Sequence, residues 1–148
     1  MCHDLNEKLP FNDNGFDMIL SSLAIHYLKN LESVFSGFQR ILKPNSIFLF
    51  STHQPFMNFK ILDETNYFNK HIRRKTWIKG DENPVSVESE FYHRSLETII
   101  NTTTKFFNID KILEPKPLDR FKIIDEKSYN YLNENPHILI IKAFNKKK

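Results

Sequence analysis

Between Leu9 and Pro55 the chain changes its hydrophobic period twice, and few folds accommodate that pattern. Asn12-Asp13-Asn14-Gly15 is a strong turn signal. Phe16 to Leu23, FDMILSSL, then reads as a buried strand. Asn30 is placed to cap a helix, with Glu32 at the positive end of its dipole. Leu31, Val34, Phe35, Phe38, Ile41 and Leu42 follow at spacings of three and four, one apolar stripe. Arg40 and Lys43 suit the negative end, Pro44 stops the helix and Asn45 tolerates a left-handed conformation. Ser46 to Ser51, SIFLFS, is a second buried strand. Apolar strands joined through a helix predict a βαβ crossover in a parallel sheet covered on both faces.

The flanks attach to this unit. Met1 to Gly15 is polar and turn-rich, so the chain is expected to start in mid-fold, with a loop feeding a buried strand. Thr52 to Arg94 loses helical periodicity. A short helix is expected within Phe56 to Asn69, then a small antiparallel insertion, Arg74 to Lys79 and Pro84 to His93, turning at Gly80-Asp81-Glu82-Asn83. Ser95 caps a short helix whose buried side is Leu96, Ile99 and Ile100, with Thr102 to Thr104 as its fraying end. Phe106 to Leu113 is a strand. Lys116 to Pro136 reads as a long polar loop with a helical turn near Asp125 to Leu132, and His137 to Phe144 is a last buried strand.

A chain of 148 residues, 40% hydrophobic and with 14 Phe, supports one domain with a real core. Residues 1–148 are read as that domain, with 56–94 as a substrate-side insertion. The single cysteine excludes an internal disulfide and fits a cytoplasmic setting. No run reaches the ~18 apolar residues of a membrane span, so no membrane partner is expected. The net charge of +3 owes much to the Lys146-Lys147-Lys148 tail, which reads as a solvated end. No basic stripe interleaves with aromatics, so no nucleic-acid partner is expected. The histidines have no metal-ligand spacing, so no metal is expected.

In order and spacing, a set of short motifs is similar to the class I S-adenosylmethionine-dependent methyltransferases, in particular the type 11 small-molecule branch. They are Asp4-Leu5 before Leu9-Pro10-Phe11, Phe16-Asp17, Ser21 to Leu28 (SSLAIHYL), Arg40 to Pro44 (RILKP) and Ser51 to Pro55 (STHQP). Tyr92 to Leu96 (YHRSL) and Glu114 to Pro117 (EPKP) continue the likeness. The resemblance implies an α/β fold, a partial Rossmann-like sheet with a small antiparallel insertion. Its strands would correspond to the family's fourth to seventh, the last running antiparallel. The cofactor implied is S-adenosyl-L-methionine, bound at the carboxyl ends of the strands. The family's glycine-rich cofactor loop would lie before Met1, and no GxG occurs in the chain. Lys105-Phe106-Phe107 stands where the family has Gly-Phe. The implied activity is methyl transfer to an unknown small molecule by in-line displacement. The alternatives are an inactive truncated remnant or interaction module, or one half of a split enzyme. An exposed strand edge would then favour self-association or a partner chain.

Methyl transfer needs positioning more than a catalytic triad. By resemblance, Asp4 and the backbone of Leu5 contact adenine, and Ser22, Leu23 and Ala24 lie at the cofactor's strand end. The plainer readings are a solvated aspartate and a packed strand terminus. His26, on the next loop, is the candidate general base, or else holds the loop to the helix. His53, Tyr92 and Arg94 are the candidate substrate contacts, against a strand cap and a polar hinge. Trp77 and Tyr67 read as the insertion's own small core.

Overall fold

The computed structural model of the protein describes residues 2–61, 66–68, 72–79 and 85–147. Its elements run β1 (Phe16–Ser21), a 3-10 turn (Ile25–Tyr27), α1 (Leu31–Ile41), β2 (Leu42–His53), α2 (Pro55–Ile61) and β3 (Ile72–Lys79). They continue with β4 (Val85–Tyr92), α3 (Leu96–Phe106), β5 (Phe107–Leu113), α4 (Arg120–Ile124), α5 (Glu126–Glu134) and β6 (Ile138–Asn145). One sheet has the order β1-β2-β6-β5, and β3 with β4 forms a separate two-stranded ribbon.

β1 and β2 are parallel across α1, the expected βαβ unit. β6 lies antiparallel to both β2 and β5. The sheet is therefore mixed, with the last strand antiparallel as the resemblance implies. β1, β2 and β5 share one direction and bring their carboxyl ends to one edge.

Local chemistry explains α1. Asn30 accepts the Ser33 N–H at 3.1 Å, and Leu31, Val34, Phe35, Phe38 and Ile41 are buried. The helix ends where the Leu42 N–H reaches the Phe38 carbonyl. Pro44 cannot extend it, and Asn45 takes a φ of 58°. Ser46 Oγ closes this turn on the Lys43 carbonyl at 2.6 Å. The turn sits inside β2 as a bulge. Phe16 faces Leu42, yet Met18 already faces Ile47.

The core lies on one face of the sheet. Phe48 and Phe50 of β2, Leu139 and Ile141 of β6 and Phe107 of β5 pack beneath α1 and α3. Phe48 is the hub, with ring centroids 5.1 Å from Phe35, 4.8 Å from Phe50 and 5.0 Å from Phe107. Asn145 joins the far ends of this core. It is wholly buried, and its Nδ2 lies 3.1 Å from each of the carbonyls of Gln39, Leu42 and Lys43. On the opposite face Met18 and Leu20 are 47% and 64% exposed. Covering of both faces is thus not seen among the described residues, because no helix of theirs packs over β1 on that side.

Other expectations need correction. Leu96 is exposed, and the threonines do not fray α3. Thr103 is fully buried, and its hydroxyl donates to the Ile99 carbonyl at 2.8 Å, so the helix runs on to Phe106. The loop from Lys116 holds two helices. α5 matches the anticipated helical turn and is capped by Asp125, which accepts the Ser128 N–H at 2.9 Å. α4 gave no periodic signal, since Ile123 and Ile124 both face outward. The ribbon is antiparallel as expected. Its Gly80–Asn83 turn and the Trp77 side chain lie outside the described residues, so the proposed Trp77 core does too.

Candidate functional site

At the carboxyl end of β1 the chain leaves the sheet through a strained residue. Leu23 has a φ of 47°, a region that costs a β-carbon residue about 1–3 kcal/mol. Its N–H is held by Ser51 Oγ of β2 at 3.0 Å. The tie carries the chain across the sheet edge into the 3-10 turn, where the Tyr27 N–H bonds the Ala24 carbonyl at 3.1 Å. His26 is thereby set under the edge and buried. Its ring stacks on His53, at the end of β2, with centroids 4.0 Å apart and planes 21° from parallel. Phe91 of β4 closes edge-on against both rings, at 6.2 Å and 5.3 Å.

This packing decides what His26 can do. Its buried Nδ1 has no hydrogen-bond partner among the described residues. Burial, reinforced by the neighbouring His53 and Arg94, pushes the imidazolium pKa down to about 3. His26 is therefore a neutral imidazole near neutral pH. A general base works best with a pKa near the operating pH, and His26 is far below that. The geometry disfavours the general-base role read from sequence.

Arg94 is anchored. Its Nη2 donates to the Leu28 and Lys29 carbonyls, and its guanidinium carbon lies 5.2 Å from the Tyr92 ring centroid. Burial lowers its pKa to about 10, which leaves it charged at neutral pH. Among the described residues no carboxylate lies within ion-pairing distance of it. The buried His93 ring is 2.9 Å from the Tyr67 carbonyl, and the Tyr67 hydroxyl takes the Leu96 N–H at 2.7 Å. Tyr92 to Arg94 thus pin the foot of the ribbon to the sheet edge, the hinge alternative. They also border the same small pocket. It has room for about one water molecule, roughly 10 Å³, and the rest of its polar lining is His26, Thr52, His53 and Asn58.

The cofactor candidates gather on the other side of β1. Leu5, Ser22 and Ala24 line one groove of 420 Å³ with Met18, Leu20 and Phe38. Leu5 is half-buried against the core, while Ser22 and Leu23 are exposed. Asp4 is exposed in the turn before the groove. Its Oδ1 accepts both the Asn6 N–H and the Asn6 side-chain amide at 2.9 Å, bonds that hold its carboxyl below the usual range. Asp4 and Leu23 border the groove in sequence but do not line it. The groove is mainly apolar, with Ser21 and Ser22 as its polar side chains. That suits an aromatic ring such as adenine, which offers two faces to apolar side chains.

Sequence reasoning missed Thr52, Asn58 and Phe91. Thr52 and Phe91 adjoin chosen residues and were within reach. Asn58 carries no local signal, because only the path of α2 brings it to the pocket. Among the described residues no three His, Cys, Asp or Glu side chains group as a metal site, and no helix is long and apolar enough to cross a membrane.

Residues 1–50 match a family model described as a methyltransferase domain. The biotin biosynthesis bifunctional protein BioHC of Saccharophagus degradans is 41% identical over 81 residues, 55% of this chain and 12% of the relative. A malonyl-[acyl-carrier protein] O-methyltransferase of Methylovorus is 32% identical over 78 residues, 53% of this chain and 26% of the relative. The chain therefore spans only a minor part of these curated relatives. An S-adenosylmethionine-dependent methyltransferase structure from Listeria monocytogenes superposes with a TM-score of 0.79 at 22% identity, over 98% of this chain and 68% of that one. That likeness establishes the fold.

Proposed function

We propose that the chain is part of a class I S-adenosylmethionine-dependent methyltransferase and that its carboxyl sheet edge forms the adenine side and the acceptor side of a methyl-transfer site. The observation that carries this reading is the division of the edge by β1 and its Leu23 turn. The groove of Leu5, Ser22 and Ala24 lies on one side, and the histidine pocket on the other. The cofactor, when bound, supplies an activated methyl on a sulfonium. The chain's own residues would position the partners. Asp4 would accept from the adenine amino group, Leu5 and Ala24 would flank the ring, and Ser22 would bond at the rim. Leu23 would act through its strained backbone, which fixes the turn between the two halves. His53 and Tyr92 would border the acceptor, while Arg94 would act by charge and by anchoring the ribbon. His26 would serve as packing and as a hydrogen-bonding imidazole rather than as the base.

The ribose and methionine ends need further contacts, which we assign to segments outside these residues, in the same polypeptide or in a partner chain. β1 forms the sheet edge among the described strands, with Met18 and Leu20 exposed, and so offers the seam. The acceptor is read as a small molecule, and the name of the Methylovorus relative supports an oxygen acceptor.

Saturation-transfer NMR with S-adenosylhomocysteine tests the adenine side. The adenine protons should receive saturation from protein methyls, and Asp4→Ala or Ala24→Trp should cut the effect several-fold. No transfer to adenine in the wild-type chain, or transfer that neither substitution changes, refutes the assignment.

A further inference from the structure

The connection from β5 to β6 is tied at both feet to Gln54, the residue after His53. Gln54 Nε2 donates to the Glu114 carboxylate at 2.9 Å, and its backbone N–H donates to the His137 carbonyl at 3.0 Å. Between these feet lie residues 116–124, KPLDRFKII, which end in α4. Leu118, Ile123 and Ile124 are 63%, 89% and 79% exposed, and no residue of α4 is buried. Single exposed aliphatic side chains are ordinary, but three within one short segment are a patch. The charge of the tip is mostly positive. Lys116, Arg120 and Lys122 stand against Asp119, whose carboxylate accepts the Tyr129 hydroxyl at 2.8 Å. The acids that follow are taken up at the start of α5, where Asp125 caps the helix and Glu126 pairs with Lys122 at 3.3 Å. Lys116 and Arg120 form no ion pair among the described residues. At about 100° per residue, Arg120 falls between Ile123 and Ile124 around α4.

We propose that this tip binds the headgroup layer of an anionic lipid bilayer, with Ile123 and Ile124 inserted and Arg120 set on lipid phosphate. An element that lies in that layer needs no membrane-spanning run. The size of the tip favours a bilayer over a protein. A stable protein interface engages roughly 20–30 residues a side, packed to a matching shape. The tip has nine residues. A bilayer yields around exposed side chains of any shape, and basic residues beside aliphatic ones suit its anionic headgroups. The segments assigned above to the rest of the methyl-transfer site do not supply the cover either. Their seam is β1, whereas the tip follows β5, at the other edge of the four-stranded sheet. Through Gln54 the tip is anchored at the carboxyl end of β2, so the bound bilayer lies toward the carboxyl sheet edge. Neither the surface nor its test depends on the methyl-transfer reading.

The test is flotation of the chain with vesicles of phosphatidylcholine alone, or with about one-quarter phosphatidylserine. Aggregated protein stays at the bottom of the gradient and does not count as bound. The chain should partition onto the serine-containing vesicles about tenfold more strongly than onto phosphatidylcholine, at about fivefold per cation engaged. Added salt should weaken that preference. Ile123→Ser together with Ile124→Ser should cut partitioning about tenfold or more, the factor for withdrawing aliphatic side chains from an apolar medium. Ile123→Leu together with Ile124→Leu should retain it, and circular dichroism checks that both pairs keep the wild-type fold. Arg120→Glu should remove most of the preference for phosphatidylserine. No flotation with either vesicle, or flotation that the serine pair leaves unchanged, overturns the proposal. Flotation lost in Leu20→Lys but kept in the serine pair would place the contact on β1 and overturn it as well.

Discussion

Stability should fall in mild acid, and His26 should be the cause. The unfolded chain takes a proton on this imidazole near the ordinary pKa of 6.5, and the folded protein only near 3. Between those values the unfolded state binds the extra proton, so each fall of one pH unit costs about 1.4 kcal/mol. Above about pH 6.5 the contribution is complete. By about pH 5 roughly 2 kcal/mol is lost, a large share of the stability of an ordinary domain. With a urea m-value of about 1–3 kcal/mol/M, the unfolding midpoint should move down by roughly 1 M between about pH 8 and pH 5. The assay is urea unfolding followed by circular dichroism at a series of pH values. The decisive quantity is the difference between wild type and His26→Gln. His26→Phe, which keeps a ring against His53 and Phe91, guards against simple loss of packing. Both variants should lose most of the pH slope. A wild-type midpoint that stays flat to pH 5, or a slope that survives in both variants, would refute the reasoning.

Two further outcomes are expected. Asn145→Ala leaves the buried Leu42 carbonyl without its partner, removes the part-buried bonds to Gln39 and Lys43, and should cost about 1–3 kcal/mol in denaturant unfolding. A loss under about 0.5 kcal/mol would mean that those carbonyls find other partners. Leu20→Lys, on the exposed face of the edge strand, should reduce self-association of the isolated chain in sedimentation velocity. An unchanged mass distribution would clear β1 of that role.

Much of the scaffold was legible because its signals are local. A cap such as Asn30 or Ser95 needs only the amides three residues on, and a stripe such as Leu31 to Ile41 needs only the helical period. Turn chemistry at Pro44 and Asn45 is local too. The errors arise where distant partners decide. Thr103 stays helical because its hydroxyl is satisfied inside the core, against its propensity. α4 has no apolar face to detect. The anchoring of Arg94 was equally hidden, because its hydrogen bonds go to carbonyls of a loop far back in the chain. The setting of His26 was not readable, because nothing in its neighbours along the chain announces the stacked His53 and the closing Phe91. Position in the fold was readable, but electrostatic environment was not.

The insertion of β6 between β2 and β5 carries a consequence for how the chain is made. The centre of the sheet pairs Ile47 with Phe144 and His53 with Ile138, contacts separated by roughly ninety residues of chain. The βαβ unit can condense early, but its β2 flank and the whole of β5 wait for a strand that emerges much later along the chain. Until then two apolar strand edges stay open side by side. The vulnerable period for misassembly is therefore set by the time translation takes to pass from β2 to β6, and a slow stretch of codons between them would prolong the exposure.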